Sequence, residues 1–263
     1  ILCGSYIGMM EETVLGYQAP LYGRRTAQYL LEPLQFKDAR LFYPSYPEAD
    51  QVRAYAVYGG TPAYLQTIEP AKTLRENVLQ HVLRRGAYLY DEVRFILQQE
   101  LREPRNYFAI LQAIAAGKTR LNEIKLATGL DGATAYLDTL QQLHLIERAV
   151  PVTESQPHKS RRGIYRLKDH YLRFWFRYIH PNRSQLERGG AQLILEQAVL
   201  PTLDHFSSLA FEEICQQYFW QQGLAERLPI LPVSVGRWWN ANEEIDLVVL
   251  GEQEALLVEC KWS

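Results

Sequence analysis

Glu244-Ile245-Asp246-Leu247-Val248-Val249 and Leu256-Leu257-Val258-Glu259-Cys260-Lys261 flank Gly251-Glu252-Gln253-Glu254 at the end of the chain. Two apolar, β-branched runs around a short polar segment with glycine predict a β-hairpin. Side chains alternate along a strand, so Glu259 and Lys261 share one face, while Asp246 lies near the start of the first strand. Two carboxylates and a lysine on neighbouring strands can hold a divalent cation and orient a water beside a phosphate. The same three residue types are also common on the solvated face of any hairpin, and a Glu-x-Lys string arises by chance in many proteins. Both readings stand at this point.

Upstream of the hairpin, residues 204–222 read as one helix carrying Phe211-Glu212-Glu213. Before it, Tyr171, Phe174, Trp175, Phe176 and Tyr178 form an aromatic run that ends at Pro181. Aromatics at this density anchor cores, so the run is expected to be buried core or a domain junction.

From residue 104 to 167 the pattern is three short helices and a ribbon. Tyr107, Phe108, Ile110, Leu111 and Ile114 mark a helix ending near Gly117. Leu121, Ile124, Leu126 and Ala127 mark a second, stopped at Gly129. Asp131 is placed to cap a third, through Tyr136, Leu137, Leu140 and Leu143. Leu145–Val150 and Ile164–Leu167 then read as strands around a polar loop. This order predicts a winged helix-turn-helix. Its loop offers Lys159, Arg161 and Arg162 as phosphate contacts, with His158 beside them. The third helix has no Lys or Arg between Asp131 and Gln142, so an arginine–guanine contact is unavailable there. Thr134, Tyr136 and Gln141 remain as its candidate DNA-facing residues. DNA through the wing is therefore the partner expected, with a purely packing role as the alternative; self-association is left open.

Further upstream, residues 48–58 have helical spacing, Gly59-Gly60-Thr61-Pro62 is a stop, and Pro62 suits the first turn of a new helix. Residues 71–100 predict two helices, the first striped by Leu74, Val78, Leu79, Val82 and Leu83. Leu30, Leu31, Leu34 and Phe36 predict a strand or short element closed by Pro33, and residues 1–5 the end of a buried strand.

The chain has 263 residues, 47% hydrophobic and 22% charged, which suits two or three soluble domains. Its net charge of −2 gives no overall pull toward nucleic acid or membrane. Locally, residues 101–167 carry ten Lys/Arg against six Asp/Glu, and residues 204–263 three against ten. Three cysteines without metal-ligand spacing fit a reducing compartment, and the cytoplasm is expected. No run reaches the ~18 apolar residues of a membrane span. An opening without methionine and a stop just after the hairpin predict an excerpt from a longer chain.

These segments together resemble the C-terminal portion of archaeal-type ATPases of the AAA/STAND-like superfamily, over essentially the whole chain. The carriers are Leu2-Cys3-Gly4-Ser5-Tyr6-Ile7-Gly8-Met9-Met10, Pro20-Leu21-Tyr22-Gly23-Arg24-Arg25-Thr26 and Tyr58-Gly59-Gly60-Thr61-Pro62-Ala63-Tyr64-Leu65. Leu101-Arg102-Glu103-Pro104-Arg105-Asn106-Tyr107 and Lys159-Ser160-Arg161-Arg162-Gly163-Ile164-Tyr165 add to them. The end of the chain resembles the uncharacterised C-terminal domain of these ATPases, related to the PD-(D/E)xK nuclease fold.

The resemblance implies a multidomain, mainly α protein with α/β ends. Residues 1–45 would end a P-loop ATPase core, 46–100 form a helical lid, and 101–167 the winged helix-turn-helix. Residues 168–203 would be an aromatic helical junction, and 204–263 a truncated nuclease-like domain. ATP and Mg²⁺ would be cofactors of the full-length protein, with Ser5 near the γ-phosphate and Arg24 or Arg25 supplying positive charge. No G-x-x-x-x-G-K-[ST] string occurs in the chain, so this segment alone is not expected to hydrolyse ATP. In the nuclease-like part the resemblance assigns Mg²⁺ to Asp246 and Glu259, and charge stabilisation to Lys261. Glu212 is preferred over Glu213 as a further carboxylate because it follows Phe211. The function implied is a regulatory and effector segment of such an ATPase; a Mg²⁺-dependent DNA nuclease or a winged-helix DNA-binding regulator is the alternative.

Overall fold

Helix stop signals and tight glycine contacts set the order of the first elements. The computed structural model describes residues 29–101, 104–224 and 227–262, with Tyr17, Tyr22, Arg24, Thr26 and Ala27, and only the backbone of Gly223 and Leu224. Helix α1 is Phe36–Ala39 and α2 is Glu48–Tyr58, whose first turn carries Glu48 and Asp50 where the helix dipole favours anions. Gly59 ends α2 at φ +67°, a conformation that glycine adopts without strain. Gly60 then meets the incoming chain: Leu34 N–H donates to its carbonyl at 2.8 Å. A Cβ built there would sit 2.0 Å from Leu34 O. Pro62 opens α3, Pro62–Leu65, as the sequence predicts.

Helix α4, Leu74–Asn77, starts at a reciprocal Thr73/Glu76 capping box and continues as a π-helix over Val78–Leu83. Asn77 is fully buried, and its amide is satisfied by Tyr46 Oη at 2.7 Å and Glu69 O at 3.0 Å, while it accepts from Glu69 N–H at 2.9 Å. Helix α5 is Glu92–Glu100.

Helices α6 (Pro104–Ala115), α7 (Leu121–Thr128) and α8 (Ala133–Gln142) precede an antiparallel ribbon of β1 (Ile146–Ala149) and β2 (Ile164–Leu167). Ile110, Leu111, Ile124, Leu137, Leu140 and Ile146 are all buried between them. Gly129 closes α7 in the left-handed conformation. Asp131 does not cap α8, contrary to expectation: Gly132 is the N-cap residue, and Asp131 is exposed.

Helix α9, His170–Phe174, is capped by Asp169, which accepts from Leu172 N–H at 2.7 Å, and runs on as a π-helix over Trp175–Ile179. It is the centre of the core. Tyr171, Phe174, Trp175 and Phe176 are at most 2% exposed. Trp175 Nε1–H donates to Tyr90 O at 2.8 Å, and Tyr171 Oη–H to Leu89 O. One hydrophobic cluster runs from Ala39 to Leu203 and takes in the segments read from sequence as lid, three-helix unit and junction.

Helices α10 (Arg183–Glu187) and α11 (Ala191–Ile194) lead to α12, Leu203–Leu224. A sheet of β3 (Ser234–Trp239), β4 (Glu244–Leu250) and β5 (Ala255–Val258) follows, in the order β3-β4-β5 and antiparallel throughout. The expected hairpin is β4–β5. Strand β3 escapes the sequence reading, although Val235, Trp238 and Trp239 are strand formers. The sheet has its own small core of Ile230, Val235, Leu247 and Val249, against which Cys215, Phe219 and Trp220 of α12 pack.

Two expectations are corrected. Residues 29–35 form no strand, and Leu30 and Leu31 are 49% and 79% exposed; Pro33 removes a ladder donor. The second strand of the hairpin ends at Val258, so Glu259 and Lys261 lie beyond it. Gly60→Ala is expected to destabilise the protein by about 2 kcal/mol or more, because the Leu34 carbonyl has to move and its hydrogen bond with it. An unchanged urea midpoint would remove this account of the Gly59–Gly60 turn.

Candidate functional site

Consecutive residues on a helix point about 100° apart, so Glu212 and Glu213 of α12 face different neighbours. Glu213 faces α9: Arg173 Nη2 lies 2.7 Å from Oε1, and His170 Nε2 lies 3.1 Å from Oε2. Burial alone would raise its pKa, but the Arg173 and His170 charges outweigh burial and hold the carboxyl at about 2. Glu212 faces the sheet, 3.2 Å from Arg237 Nε of β3, and Arg237 also reaches Glu244 at 3.6 Å. Here burial wins, and with the nearby Asp246 carboxylate it pushes Glu212 upward. Neighbouring carboxyls driven in opposite directions mark a specialised environment.

Asp246 sits at an irregularity in the β3–β4 register, where Asp246 and Leu247 together oppose Arg237. Such a bulge re-aims a side chain. The Asp246 carboxylate accepts from Cys260 N–H at 2.8 Å. Cys260 is itself beside Cys215 of α12; burial raises both thiols, Cys260 to about 12. Trp262 then ties the tail to the helical core, its Nε1–H 3.3 Å from Asp204 Oδ1 and its ring beneath the Arg53 guanidinium at 5.8 Å.

Of the residues singled out from sequence, Glu212 and Asp246 therefore approach one another. Glu259 and Lys261 do not join them: their side chains are 75% and 77% exposed and pair with each other at 3.5 Å. The carboxylates are not gathered around one point: Asp246 accepts from an amide, Glu212 pairs with Arg237 and Glu259 with Lys261. Among the described residues no group of three or more His, Cys, Asp or Glu side chains is placed to hold a metal. Ser5 and Arg25 lie outside the described residues, and Arg24 is exposed in a turn.

On the wing, Lys159 and Arg161 are exposed. Arg162 is used internally: it pairs with Glu154, and its Nη1–H donates to Trp239 O at 3.3 Å while Trp239 Nε1–H returns a bond to Arg162 O at 3.1 Å. Tyr136, read as a DNA-facing residue, packs edge-on against Tyr107 and accepts from Asn106 Nδ2–H at 2.8 Å. Sequence reasoning missed His170, Arg173 and Arg237. Their partners lie far along the chain, and no local spacing announces them.

Residues 175–263 match the profile of DUF234, a family of archaeal and bacterial proteins of unknown function. Over its whole length the chain is 36% identical to an uncharacterized protein of Methanocaldococcus jannaschii, of which it spans 59%. Among solved structures it is similar to the Walker-type ATPase of Pyrococcus abyssi, at 22% identity and a TM-score of 0.41, covering 66% of this chain and 51% of that one. The described residues are mainly helical with two small sheets, and among them no helix is long and apolar enough to cross a membrane.

The depressed Glu213 carboxyl gives a signed pH dependence. Its contribution to stability is complete above its ordinary value of 4.5 and is lost as the pH falls toward about 2. Glu213→Gln is expected to lower stability by about 3 kcal/mol at neutral pH, the size of that shift, and to flatten the acid limb. Denaturant titrations between pH 7 and 2.5 measure both. Parallel curves for the two proteins would refute the assignment.

Proposed function

We propose that this chain is the regulatory and effector segment of an ATP-binding ATPase of the archaeal switch type, with α12 relaying the state of the helical core to the C-terminal sheet. One observation carries this reading: α12 is bonded along its length to both parts. On the core side, Asp204 pairs with Arg53 at 2.7 Å, Gln217 bonds Tyr55 Oη at 3.2 Å and Phe36 N–H at 3.0 Å, and Glu213 holds α9. On the sheet side, Gln216 Nε2–H donates to Val235 O at 2.8 Å, and Glu212 holds Arg237. A displacement of α2 or α9 is thus transmitted to β3 and β4. The family match over residues 175–263 supports the reading, since the sequence resemblance puts the uncharacterised C-terminal domain of these ATPases at this end. A relative longer than this chain leaves room for a nucleotide-binding part. Ser5 and Arg24 or Arg25 would face the nucleotide in the full-length protein.

In the intact protein, ATP with Mg²⁺ is expected to change amide exchange across residues 203–222 and 234–250, and Glu213→Gln to abolish the change in the sheet while preserving nucleotide binding. Exchange in residues 203–262 that ignores nucleotide would sink the relay. The isolated chain, lacking a phosphate loop, is expected to show no ATP hydrolysis above background.

A second reading, a Mg²⁺-dependent DNA nuclease using Glu212, Asp246, Glu259 and Lys261, is favoured by the approach of Glu212 to Asp246. It requires Glu259 and Lys261 to turn inward. Plasmid nicking that needs Mg²⁺ and disappears in Asp246→Ala would support it; nicking indifferent to that substitution would eliminate it.

A further inference from the structure

A cleft of about 880 Å³ opens where α6, β2, α9, α12 and the β3–β4 turn meet. Glu243 and Glu244 of the β3–β4 turn line its edge, with Glu244 at 3.6 Å from Arg237. Five arginines line it from four segments: Arg120, Arg166, Arg173 with Arg177 on one helix, and Arg237. Two are neutralised from behind by α12, Arg173 by Glu213 and Arg237 by Glu212. The other three are not. Arg120 and Arg177 are exposed, and neither makes an ion pair among the described residues. Arg166 has one ion-pair contact, to Glu147 at 3.8 Å, feels the Glu213 and Glu212 carboxylates from further off, and has no hydrogen-bond partner for its buried Nε–H. Burial lowers the Arg166 pKa; the Glu147 and Glu213 carboxylates oppose the shift, and the like charges of Arg237 and Arg173 add to it. Grouped guanidinium ions with donors to spare carry an electrostatic cost that a polyanion relieves.

The chemistry of the walls narrows the anion. Arginine forks suit phosphate oxygens, and Trp238 lines the cleft as a half-buried aromatic surface on which a base can stack. The volume lies within the ~300–1,000 Å³ of ligand pockets, which suits a few unstacked nucleotides and is too small for a duplex. The cations are spread over four segments, and among the described residues lining the cleft no glycine loop gathers backbone N–H groups around one phosphate cluster. That distribution suits successive phosphodiesters better than a mononucleotide.

The geometry points to this cleft as a binding site for the backbone of a single-stranded nucleic acid, with Arg120, Arg166 and Arg177 as its phosphate contacts. The site is distinct from the wing, and it does not depend on the ATPase reading.

The test is fluorescence anisotropy of the intact protein with a labelled twelve-nucleotide single strand, titrated with salt. Arg120→Gln/Arg177→Gln is expected to weaken binding about tenfold or more at low salt and to flatten the log–log salt slope by about 1.4, two contacts at ~0.7 each. Both side chains are exposed, so folding is not at stake. Lys159→Gln/Arg161→Gln on the wing should leave binding unchanged. Competing pyrophosphate or ATP at equal phosphate concentration should displace the strand poorly. The proposal is overturned by absence of binding to the single strand, by an unaffected Arg120/Arg177 variant, by loss confined to the wing variant, or by pyrophosphate displacing the strand as effectively as unlabelled oligonucleotide at equal phosphate concentration.

Discussion

A carboxylate surrounded by protein stays charged only when a cation meets it, and Glu213 is met by the Arg173 guanidinium, with the His170 imidazole on its other oxygen. That requirement fixes how α12 lies against α9. Once Glu213 is turned toward the aromatic helix, its neighbour Glu212 has to face the opposite flank, where Arg237 of β3 closes a second ion pair. Two adjacent residues on one helix thus determine the placement of the terminal sheet. Breaking the first pair would leave the Arg173 guanidinium uncompensated in a largely buried setting, which costs more than the pair contributes when intact.

The helix that Glu213 grips is the one the rest of the core is built around. Trp175 and Tyr171 place their polar ends on the carbonyls of Tyr90 and Leu89, so the ordered turn before α5 is held by hydrogen bonds to aromatic side chains. The same helix carries Phe176 against Phe108 of α6, with ring centres 5.7 Å apart. An element in contact with both neighbours at this depth merges them, which is why a single hydrophobic cluster spans three segments that composition and turn signals divide.

Local physics was legible in the sequence and distant pairing was not. Gly59–Pro62 announces a stop and a start because glycine tolerates φ +67° and proline needs no donor at a first turn. Apolar residues at three- and four-residue spacing reveal α4, α6, α7 and α8, and alternation reveals β4 and β5. Strand β3 is obscured because Gly236 and Arg237 interrupt its apolar pattern, and the reason they are tolerated lies elsewhere in the chain: Val152, in the loop after β1, packs over Gly236, and Arg237 is opposed by a bulge in β4. Of the proposed nuclease-like residues, the helix and first-strand carboxylates approach each other. The Glu259 and Lys261 pair stands off because the bulge aims Asp246 at the Cys260 amide and Trp262 anchors the tail to Asp204.

Charge counted along a window misjudges this molecule for a related reason. Residues 204–263 hold three basic residues against ten acidic ones, which on the tally repels phosphate. In space that excess is divided. Glu252 and Glu254 stand exposed in the β4–β5 turn and Glu259 exposed beyond the end of β5, while Glu212 and Glu213 are consumed in half-buried pairs with arginines. Arginines from residues 120, 166 and 177 meanwhile project toward the cleft that α12 helps to form. Fields at short range follow the unpaired charges nearest to a surface, because paired ones cancel and distant ones are screened within about 10 Å at ordinary salt. An acidic stretch of sequence can therefore border an arginine-rich cleft when most of its carboxylates are committed elsewhere; of the ten, Glu243 and Glu244 line the cleft, and Glu244 pairs with Arg237.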